Sequence, residues 1–150
     1  MFFGKLEIPA ELQTLIDNGV WPTEDNAFKQ NIEPIVSREI IKTFAPDESH
    51  LFLDPPPFRT VLRHSLKNQF WLTDAAPLEI RMRLALVIGD FGIGSDAPII
   101  LDYQVDRSNP SVKRLQWPET NSGKNHWVEI APSFSDFVGM LGLNSTRNAG

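Results

Sequence analysis

Along the first half of the chain, apolar positions recur at helical spacing. Leu12, Leu15 and Ile16 follow Pro9-Ala10-Glu11 and precede Asn18-Gly19, which predicts a short amphipathic helix with proline at its start and glycine at its stop. Ser37 ahead of Ile40, Ile41 and Phe44 predicts a second, ending before Pro46 because a residue preceding proline is driven out of the helical region. Leu51-Phe52-Leu53 then runs into Asp54-Pro55-Pro56-Pro57, where successive missing amide donors disfavour both ladders and predict a rigid elbow. The segment from Thr60 to Trp71 carries Val61, Leu62, Leu66, Phe70 and Trp71 and reads as a further helix. From Leu84 the period changes. Leu84 to Ile88, Ile99 to Tyr103, Val112 to Trp117 and Trp127 to Ile130 are short runs of aliphatic, β-branched and aromatic residues, each predicting a strand. The connections between them are rich in turn residues and too short for a crossover helix, so the strands should form an antiparallel meander of about four or more. Ser133-Phe134-Ser135-Asp136 matches a capping box, and Phe134, Phe137, Val138 and Leu141 follow at helical spacing up to Gly142. The expected layout is α+β: N-terminal helices, a meander, and a C-terminal helix packed on the sheet. One domain over residues 1–150 is expected, with a frayed polar tail over 144–150.

Alternation along the strands sorts their side chains. Leu115 and Trp117 oppose Arg114 and Gln116, which places Trp117 in the core. Val128 and Ile130 point inward, which sends Trp127 outward with Glu129. Ile99, Leu101 and Tyr103 oppose Ile100, Asp102 and Gln104. The outer face thus mixes Ile100 with Asp102, Arg114, Gln116, Trp127 and Glu129. A plain solvated face would look like this; so would a recognition surface with one aromatic anchor. The candidate partner-binding residues are therefore Asp102, Arg114, Gln116, Trp127 and Glu129.

Composition narrows the chemistry. The chain has 150 residues and no cysteine, which excludes a disulfide framework, a thiolate metal site and a cysteine nucleophile, and agrees with a reducing compartment. Its longest apolar run, Leu84 to Ile88, is far short of the ~20 residues that span a bilayer, and no long apolar leader follows Met1. A cytoplasmic protein without membrane contact is expected. The net charge is -5, and the acidity sits ahead of Pro77, with eleven acidic against seven basic side chains, compared with eight against seven from there on. Such a surface repels phosphate backbones, so direct nucleic-acid binding is not expected and a basic protein is the easier partner.

The stretch from Ile88 to Tyr103 is the most distinctive. Its triplet Asp90-Phe91-Gly92 resembles a kinase motif, but the accompanying lysine strand and catalytic loop are missing. Gly89, Gly92 and Gly94 permit positive φ, while Asp90, Ser95 and Asp96 can accept hydrogen bonds from loop amides, which together build a tight structural loop. A divalent-cation site using Asp90, Asp96 and Asp102 is the sharper alternative, yet the spacing is not that of an EF-hand loop. His50, His64 and His126 are scattered outside any ligand spacing, and no nucleophile elbow occurs. The expectation is a non-enzymatic protein with no catalytic residues, cofactor or metal.

Taken as a set, residues 89–102 with their Gly-Ser-Asp loop, Val112 to Trp117, and Trp127-Val128-Glu129-Ile130-Ala131-Pro132-Ser133-Phe134-Ser135-Asp136-Phe137 resemble the SUKH superfamily of immunity proteins and fungal cell-wall assembly regulators. Pro55-Pro56-Pro57-Phe58-Arg59-Thr60-Val61 resembles its bacterial branch. The resemblance covers roughly the last half of the chain. It implies a single SUKH-like α+β domain without catalytic residues, whose bacterial relatives neutralise toxins, many of them nucleases or deaminases. A toxin-binding immunity protein heads the expectations, followed by a regulatory or scaffold module binding cellular proteins.

Overall fold

The computed structural model describes residues 6–91, 97–118 and 123–143. Among them, five α-helices and a six-stranded antiparallel sheet give the expected α+β architecture. Helix α1 spans Ala10–Asp17, and Gly19 beyond it takes the left-handed φ of +75° that stops it. Helix α2, Arg38–Phe44, starts where Ser37 Oγ accepts the Ile40 N–H. The helix predicted from Thr60 to Trp71 is split into α3, Val61–Ser65, and α4, Phe70–Thr73. Between them the Asn68 side chain accepts the Phe70 N–H at 3.0 Å, a local bond that competes with the helical ladder. Helix α5, Phe134–Leu141, is capped by Ser133 Oγ on the Asp136 N–H and closed by left-handed Gly142.

The strands are β1 Leu51–Leu53, β2 Arg59–Thr60, β3 Ala85–Phe91, β4 Pro98–Asp102, β5 Ser111–Gln116 and β6 His126–Ala131. Their order is β1-β3-β4-β5-β6, with β2 also pairing with β3. Strands β3 to β6 are the predicted meander. The proline elbow lets the chain pair twice with β3, Leu53 opposite Gly89 and Arg59 opposite Val87. Gly89 has no positive φ; it is needed because a Cβ there would lie 2.8 Å from the Phe52 carbonyl oxygen. Asp90 plays its expected part, accepting the Ala97 N–H at 3.2 Å. Gly92, Gly94, Ser95 and Asp96 lie outside the described residues.

Both faces of the sheet are covered. On the first, Leu86, Ile88, Ile99, Leu101 and Val112 pack with Leu12 and Leu15 of α1, Ile41 of α2, and Phe134 and Phe137 of α5. On the second, Ala85, Val87, Ile100, Leu115 and Trp127 pack with Val61, Trp71, Ala75 and Ile80. No helix among the described residues is long and apolar enough to cross a membrane.

Candidate functional site

The outward face expected from alternation does not exist as a surface. Alternation identifies a wet face only when one side of a sheet meets solvent, and here a second layer covers it. Trp127, expected outward, is 9% exposed, pairs with Leu115, and donates from Nε1 to the Ala75 carbonyl at 2.7 Å. Trp117, expected in the core, lies beyond the last paired residue of β5 and is 46% exposed. Val128, expected inward, is 40% exposed.

The remaining candidates separate. Asp102 is buried on the second face; its Oδ1 accepts the Gln104 N–H and its Oδ2 lies 2.7 Å from Lys113 Nζ. Arg114 points to the first face, 5.0 Å above the Phe91 ring, with its guanidinium forked onto Asp47. That hydrogen bond is the main reason the Asp47 carboxyl sits below its usual range, whereas burial raises neighbouring Glu48. Gln116 follows Arg114 by two along β5 and so shares its face, while Glu129 shares that of Trp127; both are exposed. The five residues therefore form no common surface.

A different site lies at the open end of the second layer. Leu72 of α4, the Pro77–Glu79 turn, Trp117, Pro118 and the 123–125 segment enclose an apolar groove of about 870 Å³. Leu72 is 50% exposed and Leu78 100% exposed, and Phe70 stacks on Trp117 at 6.5 Å. The turn that presents Leu78 is entered through Ala76 at φ 43°, ψ 57°, a left-handed conformation that costs an L-residue about 1 kcal/mol or more. Three consecutive residues of the β6 region hold this wall. Asn125 Nδ2 donates to the Asp74 carbonyl at 2.7 Å, His126 Nδ1 lies 2.6 Å from Glu79 Oε2, and Trp127 Nε1 holds Ala75. Partial burial pushes the Glu79 carboxyl up, but the Trp127 amide and His126 outweigh it and leave it below its usual value. The sequence hid this wall because Ala75-Ala76-Pro77-Leu78 has no periodicity, and only the proline announces a turn.

The elbow forms a second, smaller hollow of about 220 Å³, lined among others by Glu24, Asp54, Phe58, Arg59 and His64. The Asp54 backbone is fixed at both ends: its N–H donates to Ile88 and its carbonyl accepts Trp21 Nε1. Its carboxyl has no hydrogen-bond partner among the described residues, and burial pushes its pKa up to about 6. Burial, followed by nearby Arg59, lowers the pKa of His64, which stacks on Trp71.

Side chains also occupy backbone groups at both sheet edges. The Gln30 amide bonds both the N–H and the carbonyl of Leu53 on β1, and Glu79 Oε1 accepts the Trp127 N–H on β6. The chain matches no protein-family model, no curated protein and no solved structure.

Proposed function

We propose that this chain is a non-enzymatic protein-binding domain that contacts its partner through the groove at the Trp117 end of the sheet. One observation carries the reading: a fully exposed Leu78 is held over an apolar groove by a strained left-handed Ala76. Neither feature benefits an isolated fold. Exposed leucine gains nothing from water, and the strain at Ala76 costs stability, yet both lie within three residues of each other on a wall fixed by hydrogen bonds. Such pre-organisation lowers the ordering cost of association.

The more specific role, an immunity protein that neutralises a bacterial toxin in the cytoplasm by direct binding, is supported by the resemblance of residues 89–102, 112–117 and 127–137 to the SUKH superfamily. The acidic balance of the chain favours a basic toxin domain such as a nuclease or deaminase. The test is binding kinetics against the product of the neighbouring gene. Leu78→Asp should weaken binding at least tenfold, mainly through faster dissociation, with an unchanged circular dichroism spectrum. A folded Leu78→Asp protein that binds like wild type would refute the groove as the contact.

A further inference from the structure

The hollow at the proline elbow carries a charge that the fold itself leaves unanswered. Asp54 lines it, and both backbone polar groups of that residue are already bonded, the N–H to the Ile88 carbonyl at 2.9 Å and the carbonyl to Trp21 Nε1 at 2.8 Å. The polar group left to meet a ligand is the carboxyl, which has no hydrogen bond or ion pair with any described residue. Glu24, an exposed residue lining the same hollow, is likewise without such a partner. Arg59 and His64 are the other charged or titratable groups on the walls. Burial and then the Arg59 guanidinium lower the pKa of His64, whereas the Asp54 carboxyl is shifted by burial alone. A buried carboxylate that no cation compensates lowers the stability of the free protein, and such a cost is retained where function needs the group.

Size and lining narrow the ligand. About 220 Å³ falls below the roughly 300–1,000 Å³ of small-molecule pockets, so the hollow fits a single side chain. Its uncharged walls are the three elbow prolines, Phe58 and Val87. Such apolar walls suit a planar, weakly hydrated guanidinium better than a compact, strongly hydrated ammonium. A guanidinium also brings enough N–H donors to serve Asp54 and Glu24 together. We infer that the hollow at the proline elbow receives an arginine side chain of a partner protein, held by the Asp54 carboxylate. This rests on the protein-binding reading of the chain but not on the groove, since none of these residues lines it.

Only the ionised carboxyl holds a cation. The Asp54 pKa of about 6 therefore makes the site available above that pH and closes it as pH falls through it. At pH 5 about one-tenth of the carboxyl is ionised, so affinity should be about tenfold weaker than at pH 7.5. Reciprocally, bound arginine must lower the Asp54 pKa.

The experiment uses the full chain and N-acetylarginine amide, with N-acetyllysine amide beside it, followed by backbone amide shifts and by the Asp54 carboxyl-carbon shift. Saturable shifts are expected at Asp54 and Arg59, with the lysine probe binding more weakly. At about ten times the arginine probe's Kd, the Asp54 titration midpoint should fall by about one pH unit, a readout that His64 cannot imitate. Asp54→Asn should abolish these shifts and weaken binding of the neighbouring gene's product at least tenfold, even though it stabilises the fold at pH 7.5. A merely structural carboxyl would give the gain in stability without the loss of binding. Absent or unsaturable shifts, an unmoved midpoint, a lysine probe that binds as well, or an Asp54→Asn protein that binds the natural partner like wild type would overturn the inference. The groove is judged separately. Partner binding lost in Leu78→Asp but kept in Asp54→Asn removes this site and leaves the groove; the reverse outcome removes the groove and leaves this site.

Discussion

The two faces of the sheet are built differently. On the first, α1 and α5 are eight-residue helices with continuous apolar stripes, and large side chains interlock: Trp21 meets Phe134 at 6.0 Å and Phe58 at 6.4 Å, and Phe137 meets Phe44 edge-on. On the second, α3 and α4 have five and four residues, too short for stability on their own. That layer is held by individual attachments instead, such as Trp127 Nε1 on the Ala75 carbonyl and Asn125 on that of Asp74. A layer held at points can end abruptly. Past Trp127 the cover stops, and Leu72, Leu78 and Trp117 are left exposed at its margin. The continuous face makes the fold, and the discontinuous one leaves room for a groove.

The largest expected effect tests the first face. Phe137 is fully buried among Phe44, Phe134 and the sheet, so Phe137→Ala should cost about 3–5 kcal/mol in urea unfolding. A loss under 1 kcal/mol would mean that this face is not the continuous core described. The next effect lies at the elbow, where the chain passes from one face to the other. Asp54 has a folded pKa of about 6 against 3.8 for the free side chain. Its raised value means that the folded state holds the extra proton: stability from this group is fully present below pH 3.8 and is lost as pH rises through 6. Two units at about 1.4 kcal/mol each set an upper figure of about 3 kcal/mol. Asp54→Asn should therefore stabilise the protein at pH 7.5 by about 1–3 kcal/mol and remove a fall in stability between pH 4 and 6. Unfolding curves across pH decide it; a variant that is no more stable than wild type at pH 7.5 contradicts the burial of a free carboxylate.

Much of the first face was legible in the chain itself. Pro9 and Gly19 bound α1, Ser37 and Pro46 bound α2, and Ser133 and Gly142 bound α5, because caps and breakers act within a few residues. The strands of the meander were legible from their apolar, β-branched runs. Nothing local revealed that β1 and β2 join the sheet, since their pairing with β3 runs through residues more than thirty positions away for β1 and more than twenty for β2. The faces were misread for a related reason. Ile100 and Trp127 are buried by Val61, Trp71 and Ile80, and a period of two cannot show that a second layer arrives from elsewhere in the chain. Arg114 shows the converse: a charged residue was assigned to solvent, whereas it is buried over Phe91 with Asp47 as counter-ion. The groove was invisible because its wall is an irregular turn.

The smallest effects are expected within the second layer, and one substitution made at two tryptophans resolves them. Trp127→Phe removes the donor that reaches Ala75 and leaves a buried carbonyl without its partner, while the smaller ring leaves space beside Leu115 and Trp71. The expected cost is about 1–2 kcal/mol. Trp117→Phe keeps an aromatic ring against Phe70, and because the side chain is half-exposed, water replaces whatever its polar atom loses, so the change should stay within about 0.5 kcal/mol. Both exchanges replace tryptophan by phenylalanine, two residues of similar strand preference, so a difference between them comes from their surroundings. Paired urea titrations measure it directly. Partner affinity should run in the opposite order, with Trp117→Phe altering binding more than its stability predicts, and Trp127→Phe altering binding only as far as the wall carrying Leu78 loosens. Equal stability costs at the two positions would show that the second layer extends over Trp117 in solution, and the groove would then not be an open surface.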